Sequence, residues 1–280
     1  ITTYSAAGGS GYAIEFAGPA VEGLTVEARL TLCNMAVEFS AFTGIIAPDE
    51  KVFEYLKGRP YAPSGESWQQ AKEYWSTLST DDGSHFDQEI VIDCGTISPT
   101  VTWGTSPQQA VSIDGQVPSL ISEDGDARRS MEQSLIYMGL KSGQSIQGLP
   151  IQVAFIGSCT NSRLSDLRTA AAILKGRKVA AGVRAICVPG STQVKKAAEK
   201  EGLDQIFLNA GFEGGEAGCS MCFYAGGEGF VSGERVITST NRNFEGRQGP
   251  GCRSHLASPA TVAASAINGA IADSRKMGAL

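Results

Sequence analysis

From about residue 150 onward, short apolar runs alternate with longer amphipathic stretches. Each run has the length of a buried strand, and each amphipathic stretch repeats its apolar residues at helical spacing. The predicted strands cover 151–157, 183–190 and 234–240, and the predicted helices cover 163–176, 192–202 and 259–274. Strands that alternate with helices in this way are typical of a parallel sheet covered on both faces. The pattern therefore predicts an α/β fold.

The pattern before residue 150 is less regular. It predicts a strand at 11–18 and a helix at 24–44 that begins after Thr25 as N-cap and ends at Gly44. Strict alternation at 85–95 predicts a half-buried strand. Further helices are predicted at 49–58, 65–78 and 127–140, and a Gly-, Pro-, Ser- and Asp-rich linker at about 104–126.

Composition narrows the class of protein. The 280 residues carry 23 Lys+Arg against 29 Asp+Glu, a net charge of −6, which argues against a nucleic-acid binder that follows the phosphate backbone. No apolar run is long enough to predict a membrane span. The odd count of 7 cysteines, spread over the whole chain, does not predict a disulfide framework and favours a reducing compartment such as the cytoplasm. The first residues resemble the middle of a fold and not a signal peptide.

Candidate chemistry gathers where the predicted strands end. In open α/β sheets, ligands bind beyond the carboxyl ends of the strands. The polar and reactive residues that follow the first and third strands of the second half are Cys159, Asn161, Asn241, Arg242 and Arg247. Cys219 and Cys222 lie in the long connection between strands and are free to reach the same edge. We therefore expect one site at this edge of the sheet.

The three cysteines allow several kinds of site. Cys219 and Cys222 form a C-x-x-C pair, which occurs in redox, zinc and iron–sulfur sites. A redox pair is disfavoured because the pair lies in glycine-rich loop sequence and opens no helix. A zinc site would need a fourth ligand, which Cys252 or His255 could supply. Cys159, Cys219 and Cys222 without a fourth ligand would suit a [4Fe–4S] cluster with one open iron, and a buried Cys159 beside a local pair remains an alternative.

Two further pairs could bind a substrate. Arg242 and Arg247 lie five residues apart in a loop, and paired guanidinium groups suit carboxylate recognition; an exposed basic loop is the alternative. Asn34 and Glu38 are spaced i, i+4, so they would share one face of the predicted helix. A carboxylate and an amide on a mostly apolar helix need partners or a function, unless that face is exposed to solvent.

Three motifs together resemble the aconitase superfamily. They are "FIGSCTNSRLSDLR", "GCSMC" and "STNRNFEGRQG", and the Ser-Met inside the cysteine pair is similar to the isopropylmalate isomerases. The resemblance implies two aconitase-like three-layer α/β/α domains with mainly parallel sheets, at residues 1–125 and 126–280. It also implies a hydro-lyase that interconverts 2- and 3-isopropylmalate in leucine biosynthesis. An aconitase or homoaconitase-type hydratase, and a non-catalytic zinc-binding or metal-free scaffold, are the alternatives.

The resemblance also implies roles for individual residues and partners. Cys159, Cys219 and Cys222 would bind a [4Fe–4S] cluster, and Arg242 and Arg247 would hold substrate carboxylates. The residues that would line the cluster and its bound water are Asn34, Glu38 and Asn241. The family's first domain, with its "GDSHT"-like motif and Asp–His pairs, has no counterpart in this sequence. The serine base belongs to the small subunit or swivelling domain, so we expect this chain alone to be inactive.

Overall fold

A five-stranded parallel sheet is the largest element of the computed structural model, which describes residues 1–119 and 125–278. Its strands are β5 (Val153–Ile156), β6 (Arg184–Cys187), β7 (Phe212–Gly214), β8 (Arg235–Thr238) and β9 (Arg253–Leu256). They are arranged in the order β7-β6-β5-β8-β9, and every neighbouring pair is parallel. The α/β fold with a mainly parallel sheet, predicted from the alternation of strands and helices, is confirmed.

The strand order reverses once, between β5 and β8. From β5 the chain moves outward through β6 to β7, and it then returns to place β8 on the other side of β5. In an open parallel sheet such a reversal leaves a crevice at the carboxyl ends of the two strands that flank it. The residues that follow β5 and β8 therefore lie at the position where a ligand site is expected.

The two faces of the sheet are covered differently. On one face Ala154 and Ile156 of β5 belong to the large apolar core formed with the helices. On the other face Val153 and Phe155 belong to a second core that includes Met221 of the C-x-x-C segment. The helices of this unit are α5 (Gly125–Met138), α6 (Leu164–Leu174), α7 (Thr192–Lys200), α8 (Leu203–Ala210) and α9 (Pro259–Asn268). The irregular chain that carries Cys219 and Cys222 is thus packed on the sheet.

The predicted linker at 104–126 is wrong over its described residues, 104–119. This stretch contains β4 (Ala110–Ser112), which pairs antiparallel with β3 (Thr100–Thr102). Ile113 and Val117 are buried in the core of the sheet. The Gly, Pro, Ser and Asp residues form tight turns around these buried positions, so their abundance reflects turns and not a linker. The rest of the predicted linker reaches residues 120–124, which lie outside the described part.

A smaller unit, residues 7–97, contains a two-stranded parallel sheet and four helices. The strands are β1 (Ala13–Glu15) and β2 (Thr43–Ile45), and the helices are α1 (Pro19–Gly23), α2 (Val26–Met35), α3 (Glu50–Leu56) and α4 (Glu66–Trp75). The predicted N-cap of α2 is confirmed, because the Thr25 side chain accepts a hydrogen bond from the Ala28 amide.

The predicted end of that helix at Gly44 is wrong. α2 ends at Met35, a single 3-10 turn (Val37–Phe39) follows, and Ser40 adopts a left-handed conformation with φ 64°. Gly44 lies in β2, where a Cβ atom would come within 2.9 Å of the Ala36 Cβ. Glycine is needed here because the strand passes against the end of the preceding helical segment.

The strand predicted at 85–95 is also wrong. Residues 80–97 are exposed throughout and contain only one 3-10 turn, Cys94–Thr96. Alternation of apolar and polar residues indicates that one face of an extended segment could be buried. A strand also needs a neighbouring strand for its hydrogen bonds. None of these residues pairs with a strand in the part of the chain that the structure describes.

The two compact units are residues 7–97, and residues 1–6 together with 98 onward. The domain boundary predicted between residues 125 and 126 adjoins residues outside the described part, and it stays a prediction. No helix within the described ranges has the length and apolar character needed to cross a membrane.

Candidate functional site

Ser239 joins the loops that follow β5 and β8. Its Oγ accepts a hydrogen bond from the Gly157 amide at 3.1 Å and lies 3.2 Å from the carbonyl oxygens of Gly157 and Asn161, to one of which it donates. The Asn161 side chain donates to the Ser239 carbonyl at 3.0 Å. Ser239 is fully buried, so these bonds are shielded from water. The two loops at the point of strand reversal therefore form one continuous surface.

Cys159 is exposed on this surface and follows a strained residue. Ser158 is buried and has φ 77°, a conformation that costs free energy for a residue other than glycine. The loop after β6 packs closely against it, because a Cβ atom at Gly190 would lie 3.3 Å from the Ser158 carbonyl and 3.1 Å from that of Ser162. Backbone strain beside an exposed thiol is typical of a functional site.

The C-x-x-C segment reaches the same edge of the sheet, as predicted. The Gly218 amide donates to the carbonyl of Pro189, which follows β6, at 3.1 Å. Cys219 is exposed and Cys222 is buried, and the Cys222 amide donates to the Cys219 carbonyl at 3.0 Å. Ser220 between them has φ 44°, so a strained serine stands beside this pair as well.

Cys222 interacts with both Cys219 and Cys159. All seven cysteines lie in the described part of the chain, and all are free thiols. The pKa of Cys222 is raised to about 11, first because burial disfavours the thiolate and then because Cys219 and Cys159 lie near it. Arg247 acts in the opposite direction on the same thiol. Cys159, Cys219 and Arg247 therefore each lie near enough to Cys222 to influence its thiol.

The arrangement does not suit a single metal ion. Within residues 1–119 and 125–278, no three His, Cys, Asp or Glu side chains form a group that could hold one ion. His255 is fully buried; its Nδ1 lies 2.6 Å from the Thr102 carbonyl oxygen and its Nε2 lies 2.7 Å from Arg235 Nη1. Both ring nitrogens are thus occupied, and His255 cannot be the fourth ligand of a zinc site.

Cys252, the other possible fourth ligand of a zinc site, is buried too, and its Sγ lies 3.5 Å from the Ser254 Oγ.

In a [4Fe–4S] cluster each thiolate binds a different iron, so the ligands of a cluster lie further apart than the ligands of one ion. Cys159, Cys219 and Cys222 are free thiols, and thiolates are the ligands that such a cluster takes.

Arg247 is held in place by aromatic rings. Its guanidinium carbon lies 4.8 Å from the ring centre of Phe223 and 5.3 Å from that of Phe244. Its Nε is buried and has no hydrogen-bond partner among the described residues. A buried donor without a partner is uncommon in native proteins and is often explained by a missing ligand. Arg242 and Asn241 lie half-buried in the same loop after β8.

Asn243 fixes the base of this loop. It is buried, and its Nδ2 donates to the Gly104 carbonyl at 2.6 Å and to the Thr102 hydroxyl at 3.1 Å. Asn243 and Ser239 cannot be recognised as site residues from local sequence, because their partners are distant along the chain. The only signal is that both lie in the motif that contains Arg242 and Arg247.

Asn34 and Glu38 belong to the smaller unit and do not share a helix face. Asn34 lies in the last turn of α2, and Glu38 lies in the separate 3-10 turn that follows. The prediction that Asn34 and Glu38 share one helix face is therefore wrong, because the helix ends at Met35. Both side chains are half-buried. Their assignment to the site stays a prediction.

The smaller unit has a cavity of about 290 Å³ beyond the carboxyl ends of β1 and β2. It is lined by Glu15, Glu22, Arg29 and Asp49 together with apolar residues, and neither Asn34 nor Glu38 lines it. Arg29 is already engaged, since its Nη2 donates to Asp49 Oδ2 at 2.6 Å and to the Glu22 carbonyl at 2.9 Å.

Known proteins are similar to this chain over most of its length. The model of the aconitase family (aconitate hydratase) matches residues 1–269. The chain belongs to the aconitase family. This aconitase-family chain is 62% identical over 263 residues to the 3-isopropylmalate dehydratase large subunit of Cupriavidus necator, a match that covers 94% of the chain and 98% of that relative.

A second relative is longer. The 3-isopropylmalate dehydratase large subunit 1 of Bradyrhizobium diazoefficiens is 56% identical over 273 residues, which are 97% of this chain but 57% of the relative. The aconitase-family chain thus spans little more than half the length of that relative. The resemblance inferred from the three motifs is confirmed.

Proposed function

We propose that this chain is the large-subunit part of a 3-isopropylmalate dehydratase, a hydro-lyase of leucine biosynthesis that interconverts 2- and 3-isopropylmalate. The observation that carries the proposal is the placement of the Cys159 loop, the Cys219–Cys222 segment and the Arg247 loop at one edge of a parallel sheet. The names of the two relatives favour isopropylmalate over the substrates of an aconitase or a homoaconitase.

Cys159, Cys219 and Cys222 would hold a [4Fe–4S] cluster. When bound, a cluster with one iron that carries no thiolate supplies a Lewis acid for the substrate's hydroxyl and a carboxylate. The chain itself supplies two exposed thiols and one buried thiol on a strained backbone. Ligation would provide free energy that the strained conformations at Ser158 and Ser220 require.

Arg247 and Arg242 would bind the substrate's carboxylates. Arg247 packs against two aromatic rings, which restrict its side chain, so less side-chain entropy is lost when its planar fork meets a carboxylate. Its unpartnered Nε gives the guanidinium a donor to use. Asn241, Asn34 and Glu38 would line the cluster and its bound water, and these three roles rest on the resemblance.

The base for proton transfer would come from a partner. Of the two histidines, His255 has its pKa lowered to about 3 by burial and then by Arg235, and its ring nitrogens are occupied; His85 is exposed in an irregular segment. The proposed partners are the small subunit or swivelling domain, which carries the serine base, and the first domain of the large subunit. The inactivity of the chain without them stays a prediction.

Cysteine substitutions test the proposal. After anaerobic reconstitution, the chain should hold about four iron and four sulfide ions, measured by chemical analysis. Cys159→Ser, Cys219→Ser and Cys222→Ser should each lower the iron content strongly. Cys94→Ser is the matched control, because Cys94 is an exposed thiol of the smaller unit. Full iron content in all three variants would overturn the ligand assignment, as would equal loss in Cys94→Ser.

A further inference from the structure

Gln248 lies in the core between the C-x-x-C segment and strand β9. It is 1% exposed, and both ends of its side-chain amide are used. Its Nε2 donates to the Met221 carbonyl at 2.9 Å, and its Oε1 accepts a hydrogen bond from the Ser254 hydroxyl at 2.8 Å. Met221 stands between Cys219 and Cys222, so Gln248 links the middle of the cysteine pair to the sheet.

The turn that Gln248 reaches has little support of its own. Ser220–Cys222 is a single 3-10 turn, and such short turns leave carbonyl groups that need partners outside the turn. Ser220, with φ 44°, adds strain that the surroundings must offset. The buried bond from Gln248 to Met221 provides one such constraint at the centre of the turn.

The main chain beside Gln248 makes a second connection. The Tyr224 amide donates to the Arg247 carbonyl at 2.9 Å, and the Phe230 amide donates to the Gln248 carbonyl at 2.8 Å. The cysteine segment and the arginine loop are thus joined on both sides of Cys222. A shift of one would move the other.

We propose that Gln248 is a positioning residue, which holds the Cys219–Cys222 turn in the conformation that a cluster requires and couples that turn to Arg247. This inference rests on the proposed function only in taking Cys219 and Cys222 as cluster ligands. The amide group is needed because Gln248 donates at one end and accepts at the other. Methionine would fill the same space with neither bond, and Gln248→Glu would place a carboxylate against a carbonyl oxygen.

Thiol alkylation of the metal-free chain tests the inference. Isotopically labelled iodoacetamide and mass spectrometry report the rate at each cysteine separately. In Gln248→Met the rate at Cys222 should rise about tenfold, the factor expected for losing one buried hydrogen bond from the closed turn. The rate at Cys187, a buried thiol of β6, should not change, because β6 is paired with a strand on each side and Cys187 becomes accessible only in larger openings.

Two further variants make the test specific. Ser254→Ala removes the bond at Oε1 and leaves the bond to Met221, so it should raise the Cys222 rate by less than Gln248→Met does. The double variant should match Gln248→Met alone, because both changes act through one connection. Gln205→Met, an exposed position on α8, should match the unsubstituted chain. If Gln248→Met does not fold, Ser254→Ala and Gln248→Glu decide the question.

The inference is overturned if Cys222 and Cys187 become reactive together, which would make Gln248 a general stability residue, or if the Cys222 rate stays unchanged. A second measurement separates this result from the proposed function. Iron release to a chelator should be about tenfold faster from reconstituted Gln248→Met than from the unsubstituted chain. An unsubstituted chain that takes up no iron would refute the proposed function, while the alkylation rates would still decide the role of Gln248.

Discussion

His255 shows how the surroundings of one residue decide its role. It precedes the last helix and was a candidate zinc ligand by sequence, yet it is fully buried between Thr102 and Arg235. Because a guanidinium can only donate, Nε2 accepts from Arg235, and Nδ1 carries the proton and donates to Thr102. Burial, followed by the charge of Arg235, lowers the pKa of His255 to about 3. The imidazole is therefore a neutral structural group.

This pKa predicts a loss of stability on acidification. The unfolded chain takes up a proton at His255 near pH 6.5, whereas the folded chain does so near pH 3. The stabilisation is fully present above pH 6.5 and is lost as the pH falls below it. The free energy of unfolding of the larger unit should therefore fall by up to about 1.4 kcal/mol per pH unit between pH 6 and pH 5.

Urea unfolding at pH 7, 6 and 5 would measure this slope. His255→Gln should be less stable at pH 7 but should show a shallower slope than the unsubstituted chain. Aspartates whose pKa is lowered, such as Asp273, contribute mainly near pH 4 and below, and the comparison with His255→Gln subtracts what other carboxylates add near pH 5. An unchanged slope in His255→Gln would contradict the account of His255.

At the scale of elements, sequence predicted the apolar strands well and the polar ones poorly. β5, β6 and β8 were found because apolar runs on both faces of a parallel strand are visible in the sequence. β9 was missed because it contains Ser254 and His255, buried polar residues whose partners lie elsewhere in the chain. Local sequence carries no record of such partners.

The same limit applies to the candidate site. Cys159 and Arg247 could be selected because chemistry at the carboxyl ends of parallel strands is predictable from the strand positions. Gln248, Ser239 and Asn243 could not be assigned roles, because their partners lie 27, 82 and up to 141 residues away along the chain. The roles of these side chains can be assigned only when the contacts between distant parts of the chain are known.

The start of α3 offers a test of an element. Asp49 Oδ1 caps the helix at the Val52 amide, and Oδ2 pairs with Arg29, which is 4% exposed. Asp49→Asn keeps a capping oxygen but leaves the buried Arg29 without its counter-charge. The free energy of unfolding should fall by roughly 2 kcal/mol, which is less than for a fully buried ion pair because Asp49 is partly exposed to water. Asp49→Ala should cost about 1 kcal/mol more, since the cap is lost as well.

Hydrogen exchange of the α3 amides would measure both costs locally. Glu50→Gln is the control, because the Glu50–Lys72 pair is exposed and should contribute less than about 0.5 kcal/mol. Equal exchange rates in Asp49→Asn and the unsubstituted chain would show that the ion pair with Arg29 contributes nothing to this unit.

At the scale of the whole molecule, one parallel sheet accounts for the candidate site. The strand reversal between β5 and β8 creates the crevice, Ser239 joins the two loops beside it, and the cysteine segment reaches the same edge through Pro189. The chain extends over 98% of one relative and 57% of the other. The proposal to be tested is that three thiolates hold a cluster with one iron left open.

Mössbauer spectroscopy of the chain reconstituted with iron-57 tests this claim most directly. Three thiolates on a four-iron cluster make one iron different from the others, so two signals in a ratio of roughly three to one are predicted. Cys159→Ser should abolish this spectrum, and Cys94→Ser should preserve it. A single iron bound by thiolates, four equivalent irons, or no bound iron would contradict the account.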